Sequence, residues 1–394
     1  MNILYAISSA FFLLFFTFSS LFAQVLSSPF VEETIDEIDI GYGLETGDVD
    51  GDGNLDIILA DQKQFVWYRN GDWKRFVMVD GLTERDNVCL AARDINQDGM
   101  VEVAVGAQWN PGETSDTSAS GSVHYLIRPE NPEDLWTPVQ LQHEPTVHRM
   151  RWIRSGENDY KLIVLPLHGR GNKGGKGAGV KVLAYDMPQN PASDWEVALV
   201  DSSMHMTHNF AVDDQNNQSS SFLVTGKEGV KQYVYEESQW HTQKMANLKQ
   251  AAGEISQGKL GNTAFITTIE PMHGTHLMYY GGKDYAQKTV LYDDLKEGHA
   301  LAVADVLGMG RDQIIVGWRE PNKKDKVGIK IFVPMDNTGE SWMHYFIDED
   351  GMACEDLKVA DLDNDGDLDI IAAGRATKNL KIYWNSRISK QQGQ

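Results

Sequence analysis

The chain has 394 residues and a formal net charge of −22 at pH 7. This excess of carboxylates argues against a nucleic-acid ligand, because grooves that bind phosphate backbones need clustered Lys and Arg. The only two cysteines, Cys89 and Cys354, exclude a disulfide-rich scaffold, and we expect them to be buried free thiols.

The N-terminal segment is apolar and hydroxyl-bearing from Leu13 to the small residue Ala23. Such a stretch is typical of an export signal and is too short to span a bilayer. No later stretch reaches about 18 consecutive apolar residues, so we expect no transmembrane segment. The sequence therefore predicts a signal peptide at residues 1–23 and a secreted or periplasmic monomer formed by residues 24–394.

An acidic loop followed at once by an apolar strand recurs along the chain. Complete copies with their strands occupy residues 48–60, 94–106 and 361–374, and a reduced copy occupies residues 305–317. Weaker copies keep only the two apolar strands. Together they give seven units, which start near residues 43, 89, 148, 208, 253, 299 and 355.

The spacing of these units, roughly 50 residues, is that of a four-stranded propeller blade. Later stretches such as residues 179–185 and 328–333 run apolar or alternate as strands do. The sequence therefore predicts an all-β fold, a seven-bladed β-propeller over residues 24–394 whose two ends meet in one blade. Two separate β-sandwiches would need a linker, and no linker-like stretch divides the chain.

The complete acidic loops place carboxylates at alternate positions of a tight turn, with glycine at position six. Such a loop can surround Ca²⁺ with about six or seven oxygens. Solvated Asx turns are the alternative, but crowded carboxylates without a cation would repel each other. We predict two or three structural Ca²⁺ sites and a metal-free loop at Asp305. The predicted ligands are Asp48, Asp50, Asp52 and Asp56; Asp94, Asn96, Asp98 and Glu102; and Asp361, Asp363, Asp365 and Asp369.

These loops resemble the FG-GAP or VCBS repeats of integrin-type propellers. The resemblance implies that the loops bind calcium. It implies a structural role for the metal, because no open coordination position is suggested by the sequence.

Propeller geometry brings distant residues together, because the first strand of every blade starts at one mouth of the channel and the second strand returns there. The predicted strand starts carry Cys89, His148, His208, Glu254, His299 and Glu355. The predicted strand ends carry Asp61, Trp109, His168, Arg170, Lys227, His273, His276, Arg319 and Arg375. Histidine is a frequent general acid or base and a frequent ligand of Zn²⁺ and similar divalent metals. We therefore predict a histidine-lined funnel as an active site; the alternative is a polar, solvent-filled channel.

Five motifs give a more specific resemblance, at residues 143–152, 165–171, 205–209, 269–274 and 298–302. Together they resemble the propeller of fungal aldos-2-ulose dehydratase. They are also similar to related propeller lyases that cut rhamnosyl-glucuronate linkages in plant gums. Because the dehydratase carries cupin and further domains after its propeller, we expect the activity to be that of a single-domain polysaccharide lyase.

The resemblance implies β-elimination: loss of a proton next to a carbonyl or carboxylate together with the β-oxygen. The implied roles of base and acid in either order, of carboxylate binding, and of orientation or metal ligation fall respectively to His148 and His208, Arg170 and Arg319, and His168 and His273. The expected partner is an acidic carbohydrate. Two alternatives stay open, namely a dehydratase acting on a free ketosugar such as anhydrofructose and a non-catalytic, integrin-like binding propeller.

Overall fold

The computed structural model describes residues 28–213 and 221–387, so the predicted signal peptide lies outside the described residues. Within these ranges, the strands form seven four-stranded antiparallel sheets. The one helical element among them is a short 3₁₀ turn, Lys283–Tyr285. No helix in the described ranges is long and apolar enough to cross a bilayer.

The strands β1 to β28, numbered in chain order, are grouped below by blade. Blade 1 contains β2 (Gly43–Gly47), β3 (Asp56–Ala60), β4 (Gln64–Tyr68) and β5 (Arg75–Asp80). Blade 2 contains β6 (Cys89–Arg93), β7 (Glu102–Ala107), β8 (Ser122–Ile127) and β9 (Thr137–Leu141). Blade 3 contains β10 (Val147–Arg154), β11 (Tyr160–Pro166), β12 (Val182–Asp186) and β13 (Glu196–Asp201).

The remaining blades follow the same order until the last one. Blade 4 contains β14 (Thr207–Asp213), β15 (Ser221–Gly226), β16 (Gly229–Glu236) and β17 (Gln239–Lys244). Blade 5 contains β18 (Ile255–Leu260), β19 (Thr263–Glu270), β20 (His276–Gly281) and β21 (Gln287–Tyr292). Blade 6 contains β22 (Gly298–Ala304), β23 (Gln313–Trp318), β24 (Gly328–Pro334) and β25 (Trp342–Glu349). Blade 7 contains β26 (Cys354–Ala360), β27 (Asp369–Gly374), β28 (Asn379–Asn385) and, as its outer strand, β1 (Phe30–Glu37).

The two ends of the chain close the ring in blade 7, as the repeat alignment predicts. Strand β1 pairs antiparallel with β28 from Phe30 opposite Asn385 to Glu37 opposite Asn379. A buried ion pair strengthens this closure, because Lys381 Nζ donates to both Glu32 Oε2 and Asp348 Oδ2 at 3.0 Å. The pair links the N-terminal strand, the last strand and blade 6.

The core lies between neighbouring blades. Second strands such as β3, β7 and β27 are buried along their whole length, because each blade packs against a neighbour on both faces. This explains why these strands are continuous apolar runs and do not alternate. Cys89 and Cys354 are both buried and free, as expected.

Four inner strands share a β-bulge close to their start. The pairing register shifts at the step that contains His148 in β10, His208 in β14, His299 in β22 and Glu355 in β26. The inner strands β2, β6 and β18 keep a regular register. A bulge adds one residue that does not pair and re-aims its side chain. In this protein it does so at the channel mouth of four blades.

Candidate functional site

Four histidine side chains meet at the mouth of the channel. The ring centroid of His208 lies 4.6 Å from that of His148, 4.5 Å from that of His273 and 5.4 Å from that of His299. His273 and His299 are 5.0 Å apart by the same measure. They come from blades 3 to 6, so the convergence that propeller symmetry predicts is present.

Backbone carbonyls fix the ring orientation of two of these histidines. His148 Nδ1 lies 2.7 Å from the carbonyl oxygen of His208, and His299 Nδ1 lies 2.6 Å from that of Glu355. A carbonyl oxygen only accepts hydrogen bonds, so each Nδ1 carries the proton and each Nε2 keeps its lone pair. Both rings are therefore neutral imidazoles with one free acceptor nitrogen.

Carboxylates lie behind the other two rings. His208 Nδ1 lies 3.0 Å from Glu254 Oε1, although these two buried atoms complete no hydrogen bond. His273 Nδ1 lies 3.0 Å from Glu297 Oε2. One ligand atom from each of His208, His273 and His299 lies within 4.8 Å of the others. Converging imidazoles with oxygen partners behind them fit a divalent transition metal such as Zn²⁺.

Burial and nearby cations keep these histidines uncharged. Burial, followed by the charge of Arg149, holds the pKa of His148 well below its usual range. Burial, followed by the charge of Arg319, does the same to the pKa of His299. The pKa of His273 falls to about 4, first through burial and then through His208 and Arg319.

Arg319 holds one side of the cluster together. Its Nη1 donates to both carboxylate oxygens of Glu355, at 2.9 and 2.8 Å. Its Nη2 lies 2.9 Å from Glu297 Oε2 and 2.9 Å from His273 Nδ1. Arg375 adds a bond from Nη1 to Glu355 Oε1 at 3.0 Å. The guanidinium of Arg319 is thus committed to side chains of the protein itself.

Two residues of this network have left-handed backbone conformations. His273 has a φ of 51° and Glu297, which faces it, has a φ of 53°. Such conformations are uncommon for residues other than glycine, asparagine and aspartate, and they cluster at functional sites. The surrounding hydrogen bonds to Arg319 hold both residues in place.

The structure brings together four of the six candidate catalytic residues, namely His148, His208, His273 and Arg319. The other two, His168 and Arg170, follow the end of β11 in a loop. Arg170 is exposed, and its Nε donates to Glu144 Oε2 at 3.1 Å. His168 is half-buried, and its backbone N–H donates to Thr146 Oγ1 at 3.0 Å.

Three further residues belong to the cluster and were not among the six candidates. His299 lies on a predicted strand start but was assigned no role. Arg149 directly follows His148, and its Nη1 donates to the His148 carbonyl at 3.1 Å. Glu297 stands two residues before His299 in a turn, and no pattern in the sequence marks it.

Ion pairs cross the channel on the other side of this cluster. Glu45 Oε1 lies 3.2 Å from Arg151 Nη1 and 2.9 Å from Lys358 Nζ. These residues come from blades 1, 3 and 7, so the contacts bridge the channel. A ligand therefore has to reach the histidines from the mouth, where a cavity of about 560 Å³ is lined by Arg319 and Arg375.

The acidic loops share one backbone geometry. In each loop the carboxylate at position one accepts the backbone N–H of the position-six glycine, as Asp48 does from Gly53 at 2.8 Å. Carboxylate oxygens of Asp48, Asp50 and Asp56 lie within 4.8 Å of one another, and a second such group joins the residues Asp361, Asp363 and Asp365. Burial raises the pKa of Asp56 to about 7 and that of Asp369 to about 6.

The reduced loop in blade 6 completes itself without a cation. Gln313 stands where the complete loops have a carboxylate, and its Oε1 accepts the Leu307 N–H at 2.8 Å. Its Nε2 donates to Asp305 Oδ1 at 3.3 Å. A neutral amide thus bonds to the single carboxylate, which agrees with the prediction that this loop needs no metal.

Comparisons with known proteins bear out both resemblances. Residues 120–283 match the family model for the beta-propeller domain of aldos-2-ulose dehydratase, and residues 48–105 match FG-GAP-like repeats. Aldos-2-ulose dehydratase of Phanerodontia chrysosporium is 20% identical over 336 residues, covering 76% of this chain and 36% of that protein. The chain thus spans about a third of the length of this relative.

Solved structures share the propeller fold at low sequence identity. BBS1N in complex with ARL6DN aligns with a TM-score of 0.57 and 12% identity, covering 92% of this chain and 98% of that chain. The exotype rhamnogalacturonan lyase YesX aligns with a TM-score of 0.51 and 11% identity, covering 91% and 76%. At such identities the likeness shows the fold alone.

Proposed function

We propose that this propeller, which resembles that of aldos-2-ulose dehydratase, is a carbon–oxygen lyase acting by β-elimination on a uronate-containing polysaccharide or oligosaccharide. The observation that carries the proposal is the packing of four histidine rings with Arg149 and Arg319 at the one accessible end of the channel. Neutral imidazoles among guanidinium groups are suited to taking a proton beside an anion.

The proposed reaction removes the proton on the carbon next to the carboxylate and expels the oxygen on the following carbon. The C–H electron pair becomes the new C=C bond, and the C–O pair leaves with the oxygen. A proton then completes the leaving hydroxyl group. The products are an unsaturated sugar acid and an alcohol, and neither an oxidant nor a reductant is required.

Two observations support His148 as the base. Its Nδ1 donates to the His208 carbonyl, so the basic lone pair is on Nε2. Its lowered pKa keeps the ring neutral near pH 7. His208, its predicted partner, instead contacts His273 through Nε2. We therefore assign both proton steps to His148, whose imidazolium returns the proton to the leaving oxygen.

Arg149 and Arg375 are the better candidates for the substrate carboxylate. Arg319 already donates to Glu355, Glu297 and His273, so we assign it to positioning these groups. Arg375 borders the cavity at the mouth, and Arg149 lies beside His148. Guanidinium groups bind carboxylates through paired N–H donors, which would acidify the adjacent C–H.

His208, His273 and His299 would hold a divalent metal such as Zn²⁺. Glu297 and the Glu355 carbonyl stand behind two of these rings, which is how metal-binding histidines are usually oriented. When bound, such a metal supplies positive charge next to the substrate carboxylate. The complete acidic loops are proposed to hold structural Ca²⁺, and residues 1–23 to direct export.

A dehydratase that acts on a free ketosugar is the second candidate. The match of residues 120–283 to the aldos-2-ulose dehydratase propeller favours it, because this segment contains His148, His208 and His273. Both candidates use the same elimination and differ in the substrate. A binding propeller without catalysis would need the acidic loops but not the histidine cluster.

The deciding experiment is an ultraviolet screen for a new C=C bond conjugated to a carboxylate or ketone. Purified protein is incubated with rhamnosyl-glucuronate oligosaccharides, with acidic plant polysaccharides and with anhydrofructose. Absorbance with the uronates supports the lyase, and absorbance with anhydrofructose alone supports the dehydratase. Binding of the glycans without any absorbance change would exclude both enzymatic functions.

A further inference from the structure

A second cavity adjoins the one at the mouth of the channel. The first cavity, of about 560 Å³, includes Arg319 and Arg375 in its wall. The second, of about 630 Å³, lies between blades 7 and 1. Both share Asp39, Ala376 and Lys378, so they form one continuous groove that leads away from the histidine cluster. This groove is defined here as the side groove.

The two halves of the side groove differ in charge. The half next to the histidines has three cationic and two acidic residues, of which Arg319, Arg375 and Lys378 are the cations. The outer half has four acidic and two cationic residues. Its acidic residues are Asp36, Glu37, Asp39 and Asp61. An anionic group is therefore favoured in the inner half and disfavoured in the outer half.

The walls of the outer half are held in place by hydrogen bonds. Asp61 Oδ1 accepts the backbone N–H groups of Asp39 at 3.0 Å and Ile40 at 2.7 Å. Asp36 Oδ2 accepts the Tyr68 hydroxyl at 2.8 Å. In contrast, Glu37 is exposed and reaches into the groove from the end of β1. The outer half is thus a preformed surface of carboxylates and one guanidinium, which suits hydroxyl groups.

We infer that the side groove binds the sugar unit next to the uronate, and that this unit is neutral and rich in hydroxyl groups. The inference rests on the proposed function, since it places the uronate in the inner half beside Arg375. The substrate is accordingly an oligosaccharide or polysaccharide in which a neutral sugar neighbours the uronate. A run of consecutive uronates would bring a second carboxylate against Asp36 and Glu37.

The test compares two series of oligosaccharides. In the first, a glucuronate carries none, one or two neutral hexose units; in the second, oligogalacturonates have the same lengths. For the wild type we expect kcat/KM to rise about tenfold with the first neutral unit, which corresponds to about 1.4 kcal/mol. No such rise is expected with a second uronate. Equal gains in both series would overturn the inference while leaving the lyase function standing.

The variant Glu37→Lys removes part of the negative charge of the outer half. We expect it to raise the kcat/KM ratio of the uronate series to the neutral series several-fold. Asp194→Lys, the same charge change on an exposed loop of blade 3, should leave this ratio unchanged. An unchanged ratio in Glu37→Lys, with the fold verified by circular dichroism, would contradict the inference.

A binding measurement separates the groove from the catalysis. Calorimetric titration with the neutral-extended disaccharide should give weaker binding to Asp39→Leu than to the wild type, because leucine fills the wall shared by both halves. This holds even if no elimination is detected, so failure of the proposed function is distinguishable. Equal affinity of the two proteins would count against the side groove.

Discussion

The Nε2 atoms of His208 and His273 lie 2.5 Å apart at the centre of the propeller. Two nitrogen lone pairs at this distance repel each other, so a proton or a cation has to stand between them. Glu254 and Glu297 lie on the Nδ1 side of the two rings. Both carboxylates favour a proton on Nδ1, which leaves Nε2 to a metal.

A Zn²⁺ titration of the metal-depleted protein tests this reading directly. We expect one tightly bound ion per chain in addition to Ca²⁺, and at least tenfold weaker binding in His299→Ala, because one of three ligands is lost. His276→Ala is the matched control, since His276 lies in the same segment but bonds to Thr275. Equal Zn²⁺ affinity of His299→Ala and the wild type, measured by calorimetry, would exclude the three-histidine site.

Substitution of His148 separates proton transfer from metal binding. We expect His148→Asn to lower kcat for elimination by about 10²- to 10⁴-fold, the usual contribution of a general base. Its Zn²⁺ content should stay at the wild-type level. His168→Asn is the control and should lower kcat far less, because His168 lies past the end of β11. A His148→Asn enzyme with kcat within a few-fold of the wild type would remove His148 as the base.

The repeat pattern was sufficient to predict the blades. The predicted unit starts at residues 148, 208, 299 and 355 lie one residue after the first residues of the strands Val147–Arg154, Thr207–Asp213, Gly298–Ala304 and Cys354–Ala360. The apolar second strands are fully buried in the propeller core, which is why they repeat so clearly. Fold class and the approach of distant histidines therefore follow from the sequence.

The finer arrangement of the site depends on features that a repeat alignment does not contain. Regular alternation would send His148 and Arg149 to opposite faces, whereas the bulge at His148 interrupts the alternation. Arg170 lies in a loop after β11, where its ion pair with Glu144 holds it away from the cluster. Loop paths and bulges are set by tertiary contacts, so local sequence spacing does not predict them.

Calcium removal tests the acidic loops. We expect a chelator to lower Tm, because a ligand present at 100 times its Kd stabilises the folded state by about 2.7 kcal/mol. Asp50→Ala should lower the Ca²⁺ stoichiometry by one, since Asp50 belongs to the carboxylate group of blade 1. Asp305→Asn should not change the stoichiometry, because the amide of Gln313 already bonds to that carboxylate. Tm values that are identical with and without chelator would argue against structural calcium.

His124 predicts a loss of stability in mild acid. It is buried in β8, and burial, followed by the charge of His143, lowers its pKa to about 4. The unfolded chain, with an ordinary histidine pKa of about 6.5, therefore binds a proton that the folded protein does not. Stability should fall by up to about 3 kcal/mol as pH drops from about 6.5 to about 4. In His124→Leu this contribution to the slope of unfolding free energy against pH should vanish, whereas in the exposed control His241→Leu it should persist. An unchanged slope in His124→Leu, measured by urea unfolding across this pH range, would show that His124 is not the group responsible.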